Sequence, residues 1–327
     1  MWDKLFELKK YGAAIVAVLV FAAVFAAYRT GGASDVKFID IATGTIGGTY
    51  YPVGSIIAKI WNDAIPGVKV NSQSTGGTVQ NISLLRKGES DVCFSDGLCC
   101  FAYEGKGPYE GRPVRSLRAL APLYPEALHF VAVKGSGIKS LKDLKGKRVS
   151  IGAVGSGNEA TNRVLLEANG IDPDKDIKAE NLGHTESASA IEDRNIDAFI
   201  TGGSLGIASV VEVVTLGVAE VIELRAEEIK KLCEALPYYV PFEIPAGTYE
   251  GQEKTLNTAA TWNILVVTDK LDDKLVFEMT KALFENKMEI ITASPMLDSM
   301  DPKNLKYVGI PLHPGAEMYY REIGAIR

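Results

Sequence analysis

Three stretches carry residues able to hold a small molecule: Thr43-Gly-Thr-Ile-Gly-Gly-Thr49, Gln73-Ser-Thr-Gly-Gly-Thr78 and Gly152-Ala-Val-Gly-Ser-Gly157. Glycines let the main chain approach a ligand, hydroxyls give and accept hydrogen bonds, and the free amides of a helix start favour an anionic group. A tight turn with only packing duties is the alternative at each stretch. Nucleotide chemistry is a poor match. No Lys-Ser/Thr pair follows a loop, and neither Gly44-x-x-Gly47-Gly48 nor Gly152-x-x-Gly155-x-Gly157 has dinucleotide spacing. Hydrolysis is no better served, because there is no G-x-S-x-G elbow and no H-E-x-x-H. His129 is flanked by Leu128 and Phe130, His184 opens a helix and His313 sits in Leu312-His-Pro-Gly315. None of the three has a partner at metal spacing, and only His129 falls near a candidate crevice. Cys93, Cys99, Cys100 and Cys233 show neither a CxxC nor a metal rhythm and read as buried small residues. A disulfide from Cys93 or a neighbour to Cys233 stays open. The inventory is that of a binder, with no catalytic set, no cofactor and no metal.

The elements that must position these loops follow from periodicity. Val36 to Ile41 reads as a buried strand leading into the first loop. Val53, Ile56, Ile57, Ile60 and Trp61 then recur at helical spacing. Val68 to Asn71, the second loop and a helix bearing Val79, Ile82 and Leu85 repeat the plan. Asp91 to Phe94 is a third strand, after which Asp96 is placed to cap the next helix. Three polar loops thus leave the carboxyl ends of successive strands, where open α/β sheets bind ligands.

Leu117 to Leu123 and Phe130 to Val133 read as two extended segments separated by Tyr124-Pro-Glu126. The plan then restarts: a strand from Arg148, the third loop, and a Ser156-x-x-Glu159 capping box ahead of Ala160, Val164, Leu165 and Ala168. Further strands and helices alternate up to Leu236, among them Ile196 to Ile200 ending in Thr201-Gly-Gly-Ser204. Tyr238 to Tyr249 is too rich in proline and aromatics for a regular element. Thr255 to Thr268 reads as one or two strands, Asp272 to Ile291 as one long helix, and a last helix starts near Gly315. Two similar α/β lobes facing across a cleft is the arrangement this repetition implies.

The chain has 327 residues, enough for two lobes with their own cores, and its 46% hydrophobic content is ordinary for a globular protein. A net charge of −6 without a basic stripe argues against nucleic acid as a partner. Lys4, Lys9 and Lys10 precede an uncharged apolar run from Tyr11 to Tyr28, the pattern of an export signal or an inside-anchored membrane helix. Cleavage after Ala26 or Ala33 and retention as an anchor in the cytoplasmic membrane are both open. No cysteine follows the run to carry a lipid.

Several blocks together resemble one family. They are Gly44-Thr-Ile-Gly-Gly-Thr-Tyr-Tyr-Pro-Val-Gly54, Ser74-Thr-Gly-Gly77, Leu120-Ala-Pro-Leu-Tyr-Pro-Glu126, the segment from Gly137 to Ser156, Pro237-Tyr-Tyr-Val-Pro241, Ile244-Pro-Ala-Gly-Thr-Tyr249 and Leu312-His-Pro-Gly-Ala316. In order and over nearly everything after Val36, they are similar to the TAXI family, the solute-binding subunits of tripartite ATP-independent periplasmic (TRAP) transporters. The resemblance implies a type II periplasmic binding protein, two mixed-sheet α/β lobes around a ligand cleft, preceded here by an N-terminal hydrophobic helix. It implies residues 1–34 as signal or anchor, 35–130 with 245–327 as lobe one, and 131–244 as lobe two. It implies delivery of glutamate or a related dicarboxylate to a TRAP permease on the extracytoplasmic face of the membrane. A membrane-anchored sensor on the same fold is the alternative.

Carried over onto this sequence, the resemblance places Thr43, Thr45, Gly47, Gly48, Thr49, Tyr50, Thr75, Gly76, Gly77, Asp96 and Tyr124 on the first wall. Gly157, Asn158, Glu159, Thr201 and Gly202 fall on the second. Two departures stand out. Ala198 to Ile207 lacks the proline often found after this strand in the family. Asp96, if it reaches the cleft rather than capping its helix, repels a second carboxylate and favours an amine, which points toward an amino acid such as glutamate over a plain dicarboxylate.

Overall fold

Burying the face formed by Val53, Ile57, Ile60 and Trp61 anchors the first part of the chain. A computed structural model describes residues 36–327 and places these residues on helix α1 (Tyr50–Ala64), which follows strand β1 (Lys37–Ala42). The indole of Trp61 is fully buried, and its Nε1 donates to Met279 O at 2.9 Å, tying α1 to a distant helix. Strands β2 (Val68–Gln73) and β3 (Val92–Ser95) flank β1, with helix α2 (Thr78–Lys87) between them in sequence and α3 (Leu98–Glu104) after.

Strand β4 (Leu117–Val133) runs unbroken where two extended segments were expected. The reason lies in its partner, β10 (Leu256–Thr268). Pro125 faces Trp262 and Pro122 faces Ile264, and the ladder shifts register between those two pairs. Prolines have no N–H to give, and an irregular stretch opposite them lets the strand continue.

From Arg148 the plan restarts with β5 (Arg148–Ser150), α4 (Gly157–Ala168), β6 (Lys178–Glu180), α5 (His184–Glu192) and β7 (Ala198–Gly203). Next come α6 (Ala208–Thr215), β8 (Ala219–Ile222), α7 (Ala226–Ala235) and β9 (Val240–Ile244). The last of these lies where no regular element was expected. It pairs with β10 alone, and this edge position tolerates Pro241. The expected long helix is two, α8 (Asp273–Glu285) and α9 (Lys287–Ala293), with Asn286 between them donating from Nδ2 to Ala282 O at 2.8 Å. Helix α10 (Pro314–Glu322) closes the chain under an N-cap from His313, whose Nδ1 accepts from Gly315 N.

The strands form one mixed sheet in the order β2-β1-β3-β10-β4-β7-β5-β6, with β8 on β4 and β9 on β10. Strand β4 pairs antiparallel with β10 from Leu117 to Ala127, and with β7 and β8 from Ala127 to Val133. Its two ends therefore belong to different halves. The buried apolar residues divide in the same way. Two clusters draw on residues 39–124 and 264–320, two others on 128–259, and Ile244, Tyr249 and Ala259 pack with the second set.

Each half has an equivalent internal fastener. Asn81 of α2 donates to Thr43 O (2.7 Å) and Phe94 O (2.9 Å), and Asn162 of α4 donates to Ile151 O (3.0 Å) and Ile200 O (2.7 Å). In both cases a fully buried amide satisfies carbonyls at the carboxyl ends of neighbouring strands.

The four cysteines are free. Cys93 and Cys99 lie in the first half and Cys233 packs on the second, so no disulfide joins them. The apolar run Tyr11 to Tyr28 lies outside the described residues. Among the described residues no helix is long and apolar enough to cross a membrane.

Candidate ligand-binding cleft

The polar loops converge where the two halves meet and enclose a cavity of about 50 Å³, room for a few water-sized groups. From the first half the wall takes Thr45, Gly48, Thr49 and Tyr50 at the start of α1, Gly76 and Gly77 ahead of α2, and Asp96 beyond β3. From the second half it takes Gly157 and Asn158 at the start of α4, and Thr201 and Gly202 at the end of β7. These are eleven of the residues expected from sequence, drawn from five separate segments.

The other five lie off the wall, each for a local reason. Thr43 donates to Gln73 O at 2.7 Å, and Thr75 donates to Asn81 Oδ1 at 2.6 Å, so both hydroxyls fasten loops together. Gly47 packs on Thr185. Tyr124 is fully buried in the first core, its hydroxyl without a hydrogen-bond partner among the described residues. Glu159 is spent on the helix start: Ser156 Oγ accepts from Glu159 N, and Glu159 Oε2 accepts from Gly155 N rather than from the N-cap amide of a full capping box, both at 2.9 Å.

Of the wall residues that escaped the sequence reading, two carry titratable side chains. Glu126 of β4 reaches the cavity while only 6% exposed. His184 opens α5 and also lines it, whereas His129, the histidine expected near the crevice, is fully buried against Tyr249, whose hydroxyl lies 2.7 Å from Nε2. A carboxylate at a buried strand position was the one signal available for Glu126. Nothing local distinguished His184 from an ordinary helix-start residue.

His184 is also a link between the halves. Its Nε2 lies 3.3 Å from Gly202 O, which can only accept, so Nδ1 takes the hydroxyl proton of Thr45 at 2.8 Å. Burial lowers its pKa and favours this neutral form. Further bridges are Ser204 N to Thr49 Oγ1 (3.2 Å), Thr185 Oγ1 to Ile46 O (2.9 Å) and Gln80 N to Gly155 O (3.0 Å). The halves are shut upon each other.

Two acids sit in this closed space. Burial raises Asp96 to about 6, opposed by the Leu98 amide (3.0 Å) and the Thr78 hydroxyl. Asp96 therefore holds the first amide of α3 from the residue before the N-cap Gly97 and faces the cleft at once. Burial, and then the field of Asp96, push Glu126 up to about 8, with Asn263 and Tyr50 pulling it back. The Tyr50 hydroxyl spends its proton on Asn263 Oδ1 at 2.5 Å, so of these two only Asn263 can donate to Glu126. Both carboxyls press on glycines of the other half, Asp96 on Gly157 and Glu126 on Gly202, where any Cβ would collide with them. Among the described residues no lysine or arginine lines the cavity.

Helices α1, α2, α4 and α5 all begin at the wall, and only α4 has a side-chain cap. Their amides and partial positive charge supply an anionophilic side to set against the two acids.

Among solved structures the chain is similar to the substrate-binding protein of an amino acid ABC transporter (14% identity, TM-score 0.45, covering 80% of this chain and 98% of that one). It is also similar to the alkanesulfonate-binding protein SsuA from Xanthomonas axonopodis pv. citri bound to MOPS (13%, 0.46, 87% and 83%). A third is a putative L-cystine ABC transporter protein from Listeria monocytogenes (15%, 0.48, 84% and 97%). The model of the NMT1-like family matches residues 41–324, from the end of β1 to the end of α10 with the whole cleft between, and the chain belongs to that family.

Proposed function

We propose that this protein is an extracytoplasmic solute receptor that closes on a small organic acid or amino acid and hands it to a membrane permease. The observation that carries this reading is the cavity at the junction of two halves, walled by loops from both and bridged by hydrogen bonds. A hinge at β4 and β10 would let the walls part, which is how such a receptor loads and releases. Thr45, Thr49, Tyr50, Asp96, Asn158 and Thr201 are the side chains proposed to touch the solute, with Glu126 and His184 added from the geometry. The lobes are proposed to follow the two groups of core clusters.

The sequence blocks similar to the TAXI family support a TRAP-type permease as recipient, and the apolar run Tyr11 to Tyr28 would hold the receptor at the membrane unless cleaved.

The test is thermal and chemical. Ligand that binds only the native state raises the melting temperature, by an amount that grows with its concentration over Kd. The protein should show this with at least one member of a panel of amino acids and organic acids, and native mass spectrometry should find one such solute bound. A flat response across the panel, with nothing co-purified, refutes the receptor reading. Co-purification with an ABC-type importer instead of a TRAP permease would refute the choice of recipient alone.

A further inference from the structure

The wall of the cleft is asymmetric in charge. Its acids, Asp96 and Glu126, come from the first half, and among the described residues no lysine or arginine faces them. Both are nine-tenths or more buried, at 2% and 6% exposure. Glu126 is the less well supported, because the hydroxyl of Tyr50 is committed to Asn263 Oδ1. A buried carboxyl short of donors is costly unless something brings it protons or positive charge. The uncapped starts of α1 and α5, next to Thr49 and His184, offer the opposite polarity across the same cavity.

A ligand matched to this wall has one cationic and one anionic group. An ammonium supplies three donors and can be shared between two carboxyls. A single carboxylate fits the helix starts. A second carboxylate would meet no cation, and its desolvation would go uncompensated.

Resting on the receptor reading above, we propose that the ligand is a compact zwitterion, a neutral α-amino acid whose ammonium sits between Asp96 and Glu126. The dicarboxylates implied by the sequence resemblance are thereby disfavoured.

The raised pKa of Glu126 adds a signature. The titratable groups around it are Asp96 beyond β3, Tyr50 of α1, Tyr124 of its own strand and Tyr239 ahead of β9, with His184 of α5 on the same wall. Burial keeps the three tyrosines protonated and favours neutral His184. Seating an ammonium ionises Glu126 and releases its proton, so affinity for an amino acid climbs as pH rises from 6 to 8. A ligand carboxylate that accepts the proton of neutral Glu126 would show the opposite slope.

The experiment measures Kd by calorimetry for L-alanine, L-serine, pyruvate, L-glutamate and 2-oxoglutarate at pH 6, 7 and 8. The proposal expects L-alanine or L-serine to bind at least tenfold more tightly than pyruvate and the two dicarboxylates, and more tightly at pH 8 than at pH 6. Asp96→Asn and Glu126→Gln should each weaken that binding at least tenfold while the unliganded protein melts no lower. Equal or tighter binding of 2-oxoglutarate or L-glutamate, or a falling affinity with pH, overturns the zwitterion and leaves the receptor standing. No binding by any of the five at any pH, with another solute co-purified, also overturns the zwitterion alone. No binding and no co-purified solute overturns both.

Discussion

Replacing Gly157 by alanine should hold the cleft open without weakening either half. A Cβ at this position would lie 3.0 Å from Thr78 Oγ1 and 3.2 Å from Asp96 Cγ, and would collide with Asp96 Oδ2. Those neighbours belong to the other half. Asp96 cannot swing aside cheaply, because the Leu98 amide and the Thr78 hydroxyl fix its carboxyl. The closed state must therefore yield by several tenths of an ångström, and overpacking of this kind costs about 1–3 kcal/mol. In the open state the methyl meets nothing from the far wall, and alanine improves the start of α4 by roughly 0.5–1 kcal/mol over glycine. The two effects separate by assay. The unliganded melting temperature should hold or rise slightly, while ligand affinity falls about 5- to 150-fold. Small-angle scattering should show a larger radius of gyration than wild type in saturating ligand. Unchanged affinity together with an unchanged radius would refute closure through this contact.

Other expectations follow from the same geometry. Glu126 titrates at about 8 in the folded chain against an ordinary 4.5, so its contribution to stability is greatest below the ordinary value and is lost as pH rises through 8. Glu126→Gln should therefore raise stability by an amount on the order of a few kcal/mol at pH 8.5 and little at pH 4. Urea melts at the two pH values check this, and an equal effect at both would refute it. Asn162→Ala removes two buried hydrogen bonds and strands two carbonyls, so about 2–4 kcal/mol of unfolding free energy should be lost. His184→Ala cuts the Thr45 link and should speed ligand dissociation several-fold in stopped flow, while core melting changes little.

Much of this architecture was written in local periodicity. The α1 face and the Ser156 cap of α4 depend on neighbours a few positions away, and both formed as the residue types dictate. So did the alternation of strand, polar loop and helix in each half. The unbroken β4 was hidden, because its continuity through Pro122 and Pro125 depends on a register shift in a strand more than a hundred residues later. The same long-range pairing brings Glu126 to the cleft. The glycine-hydroxyl loops signalled where the wall would be but not which hydroxyls face inward. Thr43 and Thr75 spend theirs on Gln73 and Asn81, obligations that exist only once β1, β2 and α2 are side by side.

The long pairing of β4 with β10 also bears on speed. The halves are joined through a continuous two-stranded ribbon, whose hydrogen-bonded ladder need not break for the walls to part. Opening should then be an elastic deformation, with no secondary structure melted on the way. The register slip between Trp262 and Ile264 lies where the two groups of buried residues divide, the place on the ribbon where a bend would be taken up. A small rotation there is magnified at the loop tips, as a short turn of a hinge pin sweeps the edge of a door. Opening should accordingly fall in the microsecond-to-millisecond range of hinge motions, its rate set by the few hydrogen bonds at the rim.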